Sequence, residues 1–244
     1  MTDEIFYFIP ELLSFLTLLV CITTILFATK FFGRYGLYAY SAIVTITSNI
    51  QVLKLTQYSL ISNPIALGTV LFSTTFAVDN ILTEYYGEKA AKKGLYISFF
   101  GYMFFVIVMQ IAVWHPAVIN SECVNLHSEL EKIFSPVFYL FISSLIAYFT
   151  GQRTDIFVYS LLKKISRGKF IALRSMISMA ISAFVDNFVF SFFAWIIFAK
   201  NPISLTLLWK TYIFITYMIR LAIAALCVPL VKLAGKFISK ESDV

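Results

Sequence analysis

The sequence predicts an all-α integral membrane protein with seven transmembrane helices, the N-terminus outside and the C-terminus in the cytosol. Three observations carry this. Of its 244 residues 60% are hydrophobic and only 13% charged, against about 45–50% and about 25% in ordinary soluble domains. The apolar stretches are continuous rather than alternating, which excludes the dyad pattern of an outer-membrane barrel. The basic residues, finally, separate by loop.

Seven segments, near 10–29, 37–56, 65–84, 95–115, 136–160, 172–198 and 206–231, are each long enough for a ~30 Å hydrocarbon core, which needs roughly 17–25 residues. The first follows Asp3 and Glu4 rather than a basic leader, and Ala28-Thr29-Lys30 offers no small-x-small cleavage site. It reads as a retained helix. One side of the alternation holds Lys30, Arg34, Lys89, Lys92, Lys93, Lys163, Lys164, Arg167, Lys169, Arg174, Lys232, Lys236 and Lys240; the other holds only Lys54, Lys132, Lys200 and Lys210. Cytosolic loops are the basic ones, so this asymmetry sets the orientation and supports an odd number of spans. The net charge of +6 is therefore a topology signal and not a nucleic-acid footprint.

The longest stretch outside the spans, about 116–135, has Leu126, Leu130, Ile133 and Phe134 at helical spacing. It predicts a short helix lying on the outer surface. Cys21, Cys123 and Cys227 are far apart, and His115 and His127 have no ligand spacing between them. Neither a disulfide framework, a metal site nor a cofactor follows.

A charged residue at a helix centre costs about 2.5–3.5 kcal/mol on insertion scales, so each one is a functional candidate. The competing reading is a group that cements helices together or snorkels to the interface. In the second segment Asn49 shares a face with Tyr38 and Thr45, and both readings stand. In the third, Asp79 lies roughly 21 Å from the outer end at 1.5 Å per residue. Thr75, Asp79, Thr83 and Tyr86 form one polar stripe; Asn80 and Glu84 start a second. Glu84 is shallow enough to pair with Lys89, Lys92 or Lys93.

The fifth segment interrupts its apolar run with Gly151-Gln152-Arg153-Thr154-Asp155. Tyr148, Gln152, Asp155 and Tyr159 fall within an arc of about 60°, whereas Arg153 points some 100° away and can snorkel toward the cytosol. In the sixth, Ser175, Ser182, Asp186 and Phe190 lie on one side. Arg220 of the seventh, near Thr216 and Tyr217, reaches a depth similar to Asp79 and Asp186. These three either pair around a polar cavity or form a purely structural ion pair. Val78-Asp79-Asn80 recurs as Val185-Asp186-Asn187 in a segment of opposite direction, the pattern of an inverted repeat with its site at the midplane.

The chain has no HExxH, no clustered aspartates, no nucleophile elbow and no Walker loop, so it reads as a transporter and not an enzyme. Carboxylates, amides, a guanidinium and many aromatic rings suit a flat, nucleobase-like solute. The candidate solute contacts are Asn49, Asp79, Glu84, Tyr148, Gln152, Asp155, Asp186 and Arg220. Arg153 and Arg174 are structural or gating candidates.

Four motifs, in this order and spacing, carry a resemblance. They are Asp79-Asn80-Ile81-Leu82-Thr83-Glu84-Tyr85-Tyr86-Gly87, Ala147-Tyr148-x-x-x-Gln152-x-x-Asp155-x-Phe157, Leu173-Arg174-Ser175 and Asp186-x-x-x-Phe190. Together they resemble the queuosine precursor transporter family, also called the vitamin uptake transporter family, over about residues 37–235. The resemblance implies a six-helix core at 37–235, an added helix and loop at 1–36, and a cytosolic tail at 236–244. It implies import of 7-deazaguanine precursors (preQ0, preQ1 or queuine) across a bacterial inner membrane for tRNA queuosine. Asn49, Asp79, Glu84, Gln152, Asp155, Arg174 and Asp186 match its motif positions. One position departs: the family's last helix carries Tyr-x-x-Lys, and this chain has Tyr217-x-x-Arg220. A guanidinium keeps the charge and adds a planar fork, which leaves the preferred precursor open. A second reading is a substrate-capture subunit of an ATPase-energised vitamin or nucleobase uptake complex. The partners implied are the small solute and the lipid bilayer, with no nucleic acid; oligomeric state and energising partner stay open.

Overall fold

The computed structural model describes residues 9–59, 64–116, 124–134, 138–199 and 201–238. Asp3, Glu4, Cys123 and residues 239–244 of the tail lie outside them. Helix α1 (Ile9–Gln51) holds both of the first two predicted segments, joined at Gly33. Gly33 has φ 54° and ψ −137°, a left-handed conformation open to glycine because it has no Cβ. The chain doubles back there. Cys21 of the first arm lies against Tyr40 of the second, and Glu11 Oε1 accepts from the Ser59 N–H at 2.6 Å. A straight helix of that length would hold its ends roughly 60 Å apart.

Strands β1 (Leu55–Thr56) and β2 (Ile65–Ala66) pair antiparallel, Leu55 opposite Ala66. This small ladder ends the second segment at Gln51 rather than near 56. Helix α2 (Gly68–Ile81) continues as a π-helical turn, Leu82–Tyr86. Helix α3 (Glu88–Trp114) starts a full two turns before the expected 95, its first turn clasped by a Lys92–Glu88 pair at 2.5 Å. Helix α4 (Val124–Phe134) is short; α5 (Phe138–Ile165) runs past the expected 160. Helix α6 (Ile171–Phe192) ends in a second π turn, Phe193–Ile197. A short turn (Leu205–Leu207) and a third π segment (Leu208–Ile213) lead into α7 (Phe214–Ala234).

Exposure is inverted relative to a soluble protein. Phe15, Phe31, Phe100, Phe104, Phe157 and Phe214 stand more than half exposed, while Thr45, Asn80, Ser98, Asp155 and Ser182 are fully buried. Hydrocarbon demands this arrangement, because polar groups find partners only inside the bundle. Among the described residues four helices, Ile9–Gln51, Glu88–Trp114, Ile171–Ile197 and Phe214–Ala234, are long and apolar enough to cross a membrane. The fold is that of an all-α integral membrane protein.

Helix α2 is the centre of the bundle. Every residue from Gly68 to Ile81 is buried, with α1, α5, α6 and α7 packed around it. A polar stripe on α2 therefore has no lipid-facing side opposite it, and each of its polar residues must be met by a neighbouring helix. The predicted short helix forms as α4, where Phe134 and Leu130 pack on Tyr102 and Phe141. Ile133 departs from that packed face and is 38% exposed.

Candidate solute site

Helices α2 and α5 meet in matched rungs. Gln152 Nε2 donates to Thr75 Oγ1, and the Tyr159 hydroxyl donates to Glu84 Oε2 at 2.9 Å. Residue numbers rise along both helices from one contact to the next, so the helices run parallel. Asp79 and Asp155 lie between these rungs, one turn past Thr75 and Gln152, and within electrostatic reach of each other. Helix α6 closes the third side: Ser182 Oγ donates to Asp155 Oδ1 at 3.1 Å, and Ser178 Oγ to Asn80 Oδ1 at 3.2 Å. The Tyr148 hydroxyl shares a 2.5 Å hydrogen bond with Ser98 of α3.

Asp186 and Arg220 form a second unit. Arg220 Nη1 donates to Asp186 Oδ2, and the guanidinium lies 5.4 Å from the centre of the Phe72 ring. Both side chains are buried. Gly151 makes room for this pair: a Cβ there would fall 2.7 Å from Asp186 Cβ, too close to leave the carboxylate on Arg220. The ion pair uses only part of each group. Asp186 Oδ1 and Arg220 Nε are buried without a hydrogen-bond partner, and leaving such groups unmet costs about 1–3 kcal/mol each. A polar ligand that met both would recover that cost.

A cavity of about 410 Å³ reaches Arg220 of the pair, walled also by Ile65, Phe190, Trp195, Tyr212 and Thr216. It lies within the ~300–1,000 Å³ range of small-molecule sites. Trp195 and Tyr212 stand with ring centres 5.0 Å apart on its wall. A second space of about 40 Å³ shares Arg220 with that cavity and forms a constriction bordered by Asn49, Phe72, Ser144, Asp186 and Arg220. A larger apolar cleft of about 810 Å³ lies between the arms of α1; none of the predicted site residues lines it.

The opposite end of the bundle is pinned shut by charge. Glu84 Oε2 sits 2.5 Å from Arg174 Nη2 and 3.6 Å from Lys163 Nζ. Lys163 Nζ also donates to the carbonyls of Thr83 (3.2 Å) and Glu84 (2.6 Å) in the π turn. Arg174 donates to Lys169 O at 2.8 Å and lies over the Tyr159 ring at 5.3 Å. The sequence had offered Lys89, Lys92 or Lys93 as the partner of Glu84. Arg174 and Lys163 take that place, since Gly87 (φ 87°, ψ 164°) interrupts the helix after the π turn and Glu88 engages Lys92.

The shared face of α5 forms as expected: Tyr148, Gln152, Asp155 and Tyr159 are all buried. Arg153 is exposed and donates to the Tyr96 hydroxyl at 2.7 Å, a partner that spacing alone does not supply. Of the expected trio, Asp186 pairs with Arg220, and Asp79 faces Asp155 instead. Asn49 borders the constriction while its Nδ2 donates to Thr45 O on its own helix at 2.8 Å. Sequence reasoning missed Ser98, Ser178 and Asn187, whose Nδ2 donates to Ile213 O at 2.8 Å. The spacing Ser175, Ser178, Ser182 carries a signal for the second of these, one hydroxyl stripe along α6. Among the described residues no group of three His, Cys, Asp or Glu is placed to hold a metal ion.

Comparison with known proteins places this arrangement. A protein-family profile described as "Putative vitamin uptake transporter" matches residues 66–234, from β2 to the end of α7. A Bacillus subtilis (strain 168) protein named "Probable queuosine precursor transporter" is 29% identical over 215 residues, which is 87% of this chain and 89% of that protein. No solved structure matches. With more than half of its length inside the profile, and with its apolar helices and polar interior, the chain is a multi-pass bacterial membrane protein that belongs to the vitamin uptake transporter family.

Proposed function

We propose that the chain imports a 7-deazaguanine queuosine precursor, preQ0, preQ1 or queuine, across the bacterial inner membrane and releases it chemically unchanged. The reading counts seven crossings: the two arms of α1, then α2, α3, α5, α6 and α7. The basic end with Lys163 and Arg174 then faces the cytosol, and the 410 Å³ cavity opens to the outside. The observation that carries it is the half-used ion pair. Asp186 Oδ1 accepts from the ring N–H and exocyclic amine of the base, and Arg220 Nε donates to its carbonyl. Trp195, Tyr212 and Phe190 offer aromatic faces to a flat ring. Asn49 borders the constriction beside them, and Tyr148 and Gln152 form the next layer inward. Glu84 and Arg174 close the cytosolic side in this conformation. The relative named as a queuosine precursor transporter supports the same solute class.

The test is rescue of a bacterium that cannot synthesise queuosine precursors and lacks its own transporter. With this chain expressed, supply of at least one of preQ0, preQ1 or queuine restores queuosine in tRNA. If none of the three does so while the chain is present in the membrane, the solute assignment is wrong.

A further inference from the structure

We propose that Asp79 and Asp155 share one transported proton, and that this pair couples solute movement to the proton gradient. The inference rests on the reading of the chain as an importer and assigns its energy source. The first argument is charge accounting. Arg220 is committed to Asp186, and Arg174 and Lys163 to Glu84. Among the described residues no cation forms an ion pair with Asp79 or Asp155. Two carboxylates at close range in a low-dielectric interior do not both ionise, because desolvation and mutual repulsion act in the same direction. One proton held between them removes the mutual repulsion and leaves a single buried charge to desolvate.

The second argument is geometry. The Thr75–Gln152 contact above and the Glu84–Tyr159 contact below fix the two helices in register, with Asp79 and Asp155 between them and within electrostatic reach of each other. Asp79 Oδ2 and Asp155 Oδ2 are buried and unpartnered. So is Gln152 Oε1, whose amide is held in the same layer by Thr75. Among the described residues the surrounding elements bring no competing cation. Tyr148 of α5 is the titratable neighbour of Asp79, and Asp186 of α6, which also acts on Tyr148, is engaged by Arg220 of α7. Helices α1 and α3 contribute the hydroxyls of Thr45 and Ser98 around Tyr148, and Ser182 of α6 donates to Asp155. Neither Asp79 nor Asp155 lines the cavity that reaches Asp186. The pair also lies between the outer cavity and the Glu84–Arg174 lock, on the path the solute must take.

The test uses vesicles that contain only the full chain, with labelled preQ0 outside and an inside-alkaline gradient. The wild type accumulates solute at least tenfold, and a protonophore abolishes the accumulation. Asp79→Asn and Asp155→Asn each lose accumulation yet still exchange labelled for unlabelled solute. Accumulation that persists in both variants, or that follows a sodium gradient in the wild type, overturns the proposal. If the wild type neither accumulates nor exchanges preQ0, preQ1 or queuine, each tried in turn, the solute reading fails and infrared spectra decide the proton alone. A protonated carboxyl band is expected at neutral pH, sensitive to D2O and lost in the Asp79→Asn/Asp155→Asn double variant. Absence of that band in the wild type, or its persistence in the double variant, overturns the proposal.

Discussion

Replacing Arg220 by alanine is expected to abolish solute uptake and to lower stability. Asp186 would then hold a buried carboxylate with no counter-charge, and breaking such a pair from one side costs about 3–5 kcal/mol. Arg220→Lys separates charge from geometry. It preserves the pairing with Asp186 but removes the unpartnered Nε–H that the proposed solute carbonyl would meet, a charged hydrogen bond worth about 1.5–3 kcal/mol. Solute affinity is expected to fall by roughly ten- to one-hundredfold with thermal stability little changed. The two are read together by melting temperature in detergent and by concentration-dependent uptake. If Arg220→Lys binds as well as the wild type, the guanidinium acts only through its charge and the proposed contact is wrong.

Loss of the Glu84–Arg174 contact is expected to open the closed end. Arg174 is 2% exposed and donates to Glu84, Lys169 and Ser166, so it joins α2, α6 and the α5–α6 turn in one place. Lys163 and Tyr159 hold Glu84 from α5, and the Tyr85 hydroxyl donates to Val231 O of α7 at 3.0 Å. Arg174→Ala removes the buried cation of this set. A cysteine placed at Ser182, fully buried in the wild type, then becomes reactive to a membrane-impermeant thiol reagent applied from the basic side. The expected gain in labelling rate is about tenfold or more, equal to about 1.4 kcal/mol off the closed state. No change in labelling would show that the contact is structural cement rather than a gate.

What the sequence made legible was whatever depends on one helix at a time. Helical spacing put Tyr148, Gln152, Asp155 and Tyr159 on one face and sent Arg153 elsewhere, and the structure agrees because that face is a local property of α5. Depth along each segment put Asp186 and Arg220 at one level. Pairing across helices was not legible. Glu84 lies ninety positions from Arg174, and the nearer lysines were the natural reading. Asp79 looked equivalent to Asp186 by its Val-Asp-Asn setting, yet only Asp186 reaches the guanidinium. Helix α2 hid its role for a related reason: a helix buried on all sides shows no lipid-facing stripe to contrast with its polar one. The reversal at Gly33 sat between two predicted spans, and there the charge pattern had already placed the chain's turn.

The account also gives the Gly151–Asp155 stretch two separate jobs. Gly151 lets α6 approach closely enough to hold Asp186 on Arg220. One and four residues later, Gln152 and Asp155 turn toward α2.

The most direct test of the central claim is uptake of labelled preQ0 and preQ1 into vesicles whose only protein is this chain, compared with Asp186→Asn. The account predicts saturable uptake by the wild type and its loss in the variant, with the variant purified in equal amount and of unchanged size. Uptake that appears only when an ATPase partner is added, or uptake that Asp186→Asn leaves intact, would contradict it.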